Sequence, residues 1–494
     1  TLQKPVRWHG GSKYTPGQEP VPAITMYKNA VVLAALPSKA NAPELVAAFR
    51  AAEAAVNADN LIPGCNIRVK IVETGINRAN AVALLKSQML ANPSFLGIAG
   101  SLYSSTTLGI AANISTPLRV PTVIYGARSS VFQDSQRFPF VAQLSPSNVH
   151  IARAIVGLVK SFKGPQSAFI PGAPALDKGI AILTDTETYC LDLGLQVKRF
   201  AVACPVYAVV ASLPSTATAA DIKEAAARMR IHTDRILESG VGIIFVETLG
   251  AATFEALLVA LDASGCLKDG FRVVTSSALL DTKLPSSSHL IHGIVAVDVG
   301  FAETCQSKWF CPPDVASLTN RYLIGAYDIG TAFDAVYTLV SAIAAVFATD
   351  GGADFSDIRT GARTKTMDSF RTQSISGSVT ATGRITFKAG TNVRDFGGFS
   401  YPILNIRKRG IRSTMEIVRV GSVEQIRSGA AITAEFVAER SFVFPRAIED
   451  RIEAPRFITV GWIHDAIPDN QKMLKNAHEH SQQSALHLVG LINN

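Results

Sequence analysis

The sequence predicts an α/β protein built as two doubly wound, parallel-sheet lobes, and three observations carry this reading. In the first part of the chain, short apolar runs at Ala30–Leu36, Ile67–Val72, Phe95–Ala99 and Pro121–Tyr125 read as strands with helical patterns between them. That alternation gives a parallel sheet covered by helices. The rhythm resumes at Gly179–Leu183, Val206–Leu213, Val241–Val246, Phe271–Thr275 and Ile291–Val297, enough for a second sheet. The length of 494 residues exceeds the roughly 100–200 that one core usually serves, so more than one folding unit is expected.

The elements in order divide the chain as follows. A Pro- and Gly-rich leader occupies residues 1–23, the first part of lobe 1 spans 24–145, and lobe 2 spans 146–290. The chain returns to lobe 1 over 291–372, and 373–423 holds a hairpin and closing strands. The hairpin is read from Ser374–Phe387, which alternates around glycines, and the strands from Phe399–Ile406 and Met415–Val420. Residues 424–455 read as a linker and 456–494 as the start of a second repeat, because Phe457–Ile463 resembles a first strand like Ala30–Leu36 and a helix follows. A lone strand and helix cannot bury their apolar faces, so this piece either docks on the main unit or belongs to a tandem module.

Composition excludes several classes. Hydrophobic residues make up 48% and charged residues 17%, a balance for buried cores rather than disorder. The net charge is +8, yet the basic residues are scattered. Arg407-Lys408-Arg409 with Arg412 forms one small knot, read as a solvated turn, and no nucleic-acid partner is expected. The apolar region Tyr322–Ala348 is interrupted by Asp328 and Asp334, which leaves less than the roughly 20 residues that cross a bilayer. It reads as a buried helix, with membrane attachment only through segments outside this chain. No phosphate-binding glycine loop and no Gly-x-Ser-x-Gly occur, and no His pairs with a nucleophile by spacing, so neither a cofactor nor an enzyme activity is expected.

The six cysteines show no zinc spacing, and no metal site is expected. Cys305 and Cys311 bracket a Trp-containing loop that a disulfide closes in an oxidising compartment. Asn113-Ile114-Ser115 is a glycosylation sequon lying where a helix is expected; it reads either as a modified Asn113 or as an ordinary helical one.

Several stretches in order resemble the type I periplasmic-binding-protein and family C receptor ligand-binding fold over roughly Ala30–Val423. They are Ala51–Asn60 leading into Leu61-Ile62-Pro63-Gly64, Gly100–Ala111 with its Ser-Ser-Thr-Thr, Ala332–Tyr337 and the Gly377–Phe387 hairpin. The segment Tyr125–Ser130 continuing through Ser135–Pro139 to Pro146-Ser147 is similar to the ligand-binding subunit of the metabotropic GABA receptor. The resemblance implies a bilobed Venus flytrap whose ligand sits between the lobes at the strand carboxyl ends, with closure about three hinge strands.

It also implies a site. Ser104 and Ser105, with Thr106, stand between a strand and the following helix, where a ligand carboxylate fits and where the same hydroxyls could instead cap the helix. Ser129 lies in the similar segment Tyr125–Ser130. Arg128 replaces a small residue of the family and should alter the pocket. Ser145 and Val246 replace a His and an aromatic lid. Asp328 falls where a carboxylate receives the ligand amine, or else is a helix-entry carboxylate that faces water or pairs with Arg321. Asp185 and Tyr189 are the second-lobe candidates, with Asp185 alternatively capping a helix near Glu187. The expected function is an extracellular or cell-surface module binding a small amino-acid-like or amine ligand, as part of a receptor dimer or surface assembly. The alternative is a ligand-free module that contacts other protein chains.

Overall fold

The computed structural model describes residues 6–7, 25–26, 29–38, 42–162, 177–214, 216–267, 271–276, 288–299, 305–312, 326–350, 361–388, 390–395, 400–409 and 414–424. The expected second repeat at 456–494 and nearly all of the linker lie outside these residues. A short antiparallel pair, β1 (Val6–Arg7) and β2 (Thr25–Met26), precedes the first lobe.

Lobe 1 opens with β3 (Asn29–Leu36), α1 (Pro43–Ala58), β4 (Asn66–Glu73), α2 (Arg78–Leu90), β5 (Phe95–Ala99), α3 (Ser104–Ile110), β6 (Thr122–Ile124) and β7 (Val141–Gln143). Its five strands run parallel in the order β4-β3-β5-β6-β7. Local chemistry explains the elements. A proline at the start of α1 fits the first turn, where no donor is needed, and Leu45, Ala48, Phe49, Ala52, Ala55 and Val56 are buried at helical spacing. In β4, Ile67 and Val69 are buried while Arg68 and Lys70 are exposed, the alternation of an edge strand with one covered face. β7 is not among the strands expected from the sequence.

Lobe 2 contains α4 (Asn148–Ser161), β8 (Ala181–Asp185), α5 (Thr188–Phe200), β9 (Tyr207–Val210), α6 (Ala219–Ser239), β10 (Ile243–Glu247), α7 (Ala251–Ala263), β11 (Arg272–Ser276) and β12 (Val295–Val297). These strands are parallel in the order β12-β11-β10-β8-β9. α6 begins in a reciprocal Thr218–Asp221 capping box and ends at Gly240 in the left-handed conformation.

The chain then returns to lobe 1 with α8 (Ala326–Asp350), α9 (Ala362–Thr372), β13 (Ser374–Ile375) and β14 (Ile385–Thr386), and finishes with β15 (Ser400–Arg409) and β16 (Thr414–Glu424). Two of the expected boundaries are corrected here. β12 hydrogen-bonds into the second sheet, so the return to lobe 1 begins after Val297 rather than at residue 291. β15 and β16 close the second sheet, antiparallel to β12, rather than forming a separate end with the hairpin.

α8 is long and apolar enough to cross a membrane by composition, but 72% of that stretch is buried inside the protein. It packs against α1, α9, β5 and β6, and Phe333, Val336, Leu339, Val340 and Ile343 fill the first core. Asp334, within this apolar helix, accepts hydrogen bonds from the Ala381 N (2.6 Å), the Thr382 N (3.0 Å) and the Thr382 hydroxyl. It therefore fastens the 374–387 hairpin to α8. Burial pushes its carboxyl up to about 6 even with Arg394 nearby.

Cys305 and Cys311 are joined by a disulfide. The loop they close lies on lobe 1, where Asp59 accepts from Lys308 Nζ (2.9 Å), Trp309 Nε1 (2.9 Å) and Tyr337 OH (2.8 Å), and Phe310 stacks on Phe333. Burial acts to raise the Asp59 carboxyl, but these donors outweigh it and hold it below its usual value.

Candidate ligand cleft between the lobes

Each lobe has the strand order 2-1-3-4-5 when its parallel strands are counted from its own first one. In such sheets the chain reverses direction between the first and third strands, which opens a crevice at their carboxyl ends. In lobe 1 this is the end of β5, and in lobe 2 the ends of β8 and β10. Most of the residues expected from the sequence gather at these ends or in the neighbouring loops.

On the lobe 1 side, Gly100 ends β5 at φ +153°, and a Cβ there would lie 2.6 Å from Ala35 Cβ, so only glycine lets the chain turn towards α3. Ser104 is the first residue of α3, not its cap, and its side chain makes no capping bond. It is buried, and its Oγ accepts from the Ser129 N at 3.2 Å. Ser105 Oγ donates across the cleft to Glu187 Oε1 at 2.9 Å.

Arg128, in the loop after β6, donates from Nη2 to both carboxylate oxygens of Asp328 at 2.9 and 2.8 Å. The two residues are 200 positions apart and are 5% and 3% exposed. Asp328 thus pairs with Arg128; Arg321, the other expected partner, lies outside the described residues. Burial pushes the Asp328 carboxyl up, and the Arg128 guanidinium opposes that.

The remaining departures are structural in this chain. Ser145 donates its hydroxyl to the Tyr125 carbonyl, and Val246 is a fully buried core residue beneath α6 and α7. Tyr327 OH donates to the Leu144 carbonyl at 3.3 Å and accepts from Arg394 Nη1 at 3.3 Å, tying α8 to the crossing between lobes.

On the lobe 2 side, Asp185 ends β8. Its Oδ1 accepts from the Glu187 N (3.0 Å) and its Oδ2 from the Leu249 N (3.2 Å), while Glu187 itself caps α5. Burial raises the Asp185 carboxyl above its usual value. Tyr189 is buried, and its hydroxyl pairs with Ser276 Oγ at 2.9 Å.

Ser276 also donates from its N and its Oγ to Glu247, both at 2.9 Å. Glu247 is fully buried, and desolvation pushes it up to about 8, against the pull of the Ser276 donors. Asp185, Glu247 and Ser276 each end a strand of the same sheet. Glu247 and Ser276 were missed in the sequence, although an acidic residue closing the fully apolar run Ile243–Val246 was the signal that could have found one of them.

Asp192 and Asn148, also missed, lie in helices with no local signature. Asn113 lies in a wide helical turn at 111–115, its Nδ2 donates to the Gly109 carbonyl at 2.9 Å, and Ser115 of the sequon is buried against Thr122. Asn113 is therefore a helical residue, exposed at the surface. Among the described residues no cluster of His, Cys, Asp and Glu could hold a metal ion.

Comparison with known proteins agrees with this architecture. The family model described as the receptor family ligand binding region matches residues 45–184. A solute-binding protein of an ABC transporter from Rhodopseudomonas palustris BisB5, in complex with 3,4-dihydroxy benzoic acid, superposes with a TM-score of 0.52 at 13% identity, covering 82% of this chain and 99% of that one. An ABC transporter substrate-binding protein from Desulfitobacterium hafniense, in complex with Leu, does so with a TM-score of 0.52 at 13% identity over 79% of this chain and 100% of the other. The chain has the α/β, two-lobed fold of periplasmic solute-binding proteins, and part of its first half is similar to receptor ligand-binding regions.

Proposed function

We propose that this chain is a non-enzymatic binding module for a small polar molecule, amino-acid-like or an amine, working at the cell surface or in a secreted setting by closure of its lobes. The observation that carries the reading is the convergence of polar side chains from the carboxyl ends of both sheets, with Ser104, Ser105, Ser129, Arg128 and Asp328 on one side and Asp185, Tyr189, Glu247 and Ser276 on the other. The similarity of Tyr125–Ser130 and the following segment to the metabotropic GABA receptor supports a receptor setting, in which the module pairs with other chains.

Arg128 shapes the ligand class. A ligand ammonium has to compete with a guanidinium already held by two bonds to Asp328. Simple amino acids therefore bind weakly to this protein, and Arg128→Ser strengthens their binding by freeing Asp328. Calorimetry with a panel of amino acids, amines and small aromatic or aliphatic carboxylates, on the parent and on Arg128→Ser, tests this. Heat of binding in either protein that is lost in Ser104→Phe supports the cleft; binding unaffected by Ser104→Phe removes it.

The second reading is a ligand-free interaction module, and the same Arg128–Asp328 pair favours it, because the site's own cation already neutralises its own anion. Silence across the whole panel in both proteins, with the chain retained in a larger complex, selects this reading.

A further inference from the structure

A second group of contacts between the lobes lies outside the proposed ligand residues and centres on one helix. Asp192, on α5 of lobe 2, accepts from the Ser130 N at 2.7 Å, from Ser130 Oγ at 2.6 Å and from Asn148 Nδ2 at 2.8 Å. Gln196, four residues later and so on the same face of the helix, donates to Ser130 Oγ at 3.1 Å. Asn148 stands where the chain passes from lobe 1 into α4; its N donates to the Arg128 carbonyl at 2.7 Å, and its Nδ2 also reaches the Tyr189 carbonyl at 3.0 Å. The Ser105–Glu187 bond of the ligand cleft lies beside this seam, at the start of the same helix.

Hydrogen bonds to an ionised carboxylate are roughly twice as strong as neutral ones, and Asp192 collects three of them from two sources on opposite sides of a hinge crossing. These groups are part-buried, so water competes with them less than at an open surface. We infer that Asp192, Ser130, Asn148 and Gln196 form a latch that holds the two lobes closed by itself, so that a ligand acts on an equilibrium already biased towards closure. The inference rests on the bilobed reading above and adds its regulation. A ligand shifts such an equilibrium only by its different affinity for the two states, and a latched module has less left to shift. Its resting state is then the state that a partner chain meets.

Small-angle X-ray scattering of the full chain without added ligand, on the parent, Asp192→Ala and Asp192→Asn, reads the latch directly. The parent serves as the reference radius of gyration. Asp192→Ala should shift to a larger radius and a longer maximum dimension with an unchanged far-UV circular dichroism spectrum, and Asp192→Asn, which keeps the volume but loses the charge, should fall between. Should Asp192→Ala not fold, Ser130→Ala, which removes the hydroxyl bonds to Asp192 and Gln196, and Gln196→Ala, which removes the bond to Ser130, carry the same expected shift. A folded Asp192→Ala that scatters like the parent overturns the latch. Because no ligand is added, a failure to find one leaves this outcome untouched, while calorimetric binding with unaltered scattering overturns the latch alone.

Discussion

At the scale of single residues, charge burial is the feature that sets this cleft apart. Arg128 and Asp328 are both almost fully enclosed, and removing one partner of such a pair leaves the other charged in a poor solvent, at a cost of about 3–5 kcal/mol. Arg128→Ser should therefore lower the denaturant midpoint, and Arg128→Ser combined with Asp328→Asn should recover most of the loss. A single variant as stable as the parent would show that Asp328 is already neutral there. Glu247 gives the pH dependence. Its folded value of about 8 lies above its ordinary 4.5, so the folded protein binds the extra proton between those values. The associated stability is complete below about pH 4.5 and is lost as the pH rises through about 8. Glu247→Gln should flatten this part of the curve in urea titrations run from pH 5 to 9, and an unaltered slope would place the titration elsewhere.

At the scale of elements, the strands with a clear apolar run were legible and the polar junctions were not. β3, β4, β5, β8, β10 and β11 stand where runs such as Ile67–Val72 and Val241–Val246 placed them, because an apolar run covered on both faces, or in β4 an alternation of covered and exposed residues, needs little else. β7 is three residues long and takes its conformation from neighbours in the sheet, whereas β12 lies at the end of the run Ile291–Val297 that reads as a strand. Among the site residues, Ser104, Arg128 and Asp328 were found through resemblance, but the bond between Arg128 and Asp328 spans 200 positions and depends on how α8 returns to lobe 1. Asp334 shows how such a return is fixed: Asp334→Ala would leave the Ala381 and Thr382 donors buried without their acceptor and should cost about 3 kcal/mol, with the 374–387 hairpin losing amide-exchange protection first. Uniform loss of protection across lobe 1 would instead make Asp334 a general core residue. Gly100 has a matching role at the cleft, since the added methyl of Gly100→Ala meets Ala35 Cβ at 2.6 Å and the Ala35 carbonyl at 3.0 Å. The strain of about 1–3 kcal/mol falls on the turn that carries Ser104, so thermal stability and ligand binding should decline together.

At the scale of the whole molecule, the chain passes between its lobes three times, so neither lobe is a continuous piece of sequence, yet their cores are distinct. The core under α6 and α7, with Ala225, Met229, Ile244, Phe254, Leu257 and Leu261, draws every one of its residues from lobe 2. The core on the other face of the second sheet includes Tyr327 from α8, which is the place where the first lobe reaches into the second. Damage under α6 and α7 should therefore stay in lobe 2, whereas damage near Tyr327 should spread. Phe254→Ala removes a fully enclosed ring at a cost of about 3–5 kcal/mol without touching any residue of lobe 1. Scanning calorimetry should then resolve an early transition ahead of the main one. In hydrogen exchange, amides of β10, α6 and α7 should lose protection while those of β3 and β5 keep it. The latch described above sets how far apart the two transitions lie, because every bond across the seam must break before lobe 2 melts alone. Combining Phe254→Ala with Asp192→Ala should widen the gap, and a single transition shifted as a whole in both variants would show that the two lobes unfold as one cooperative unit.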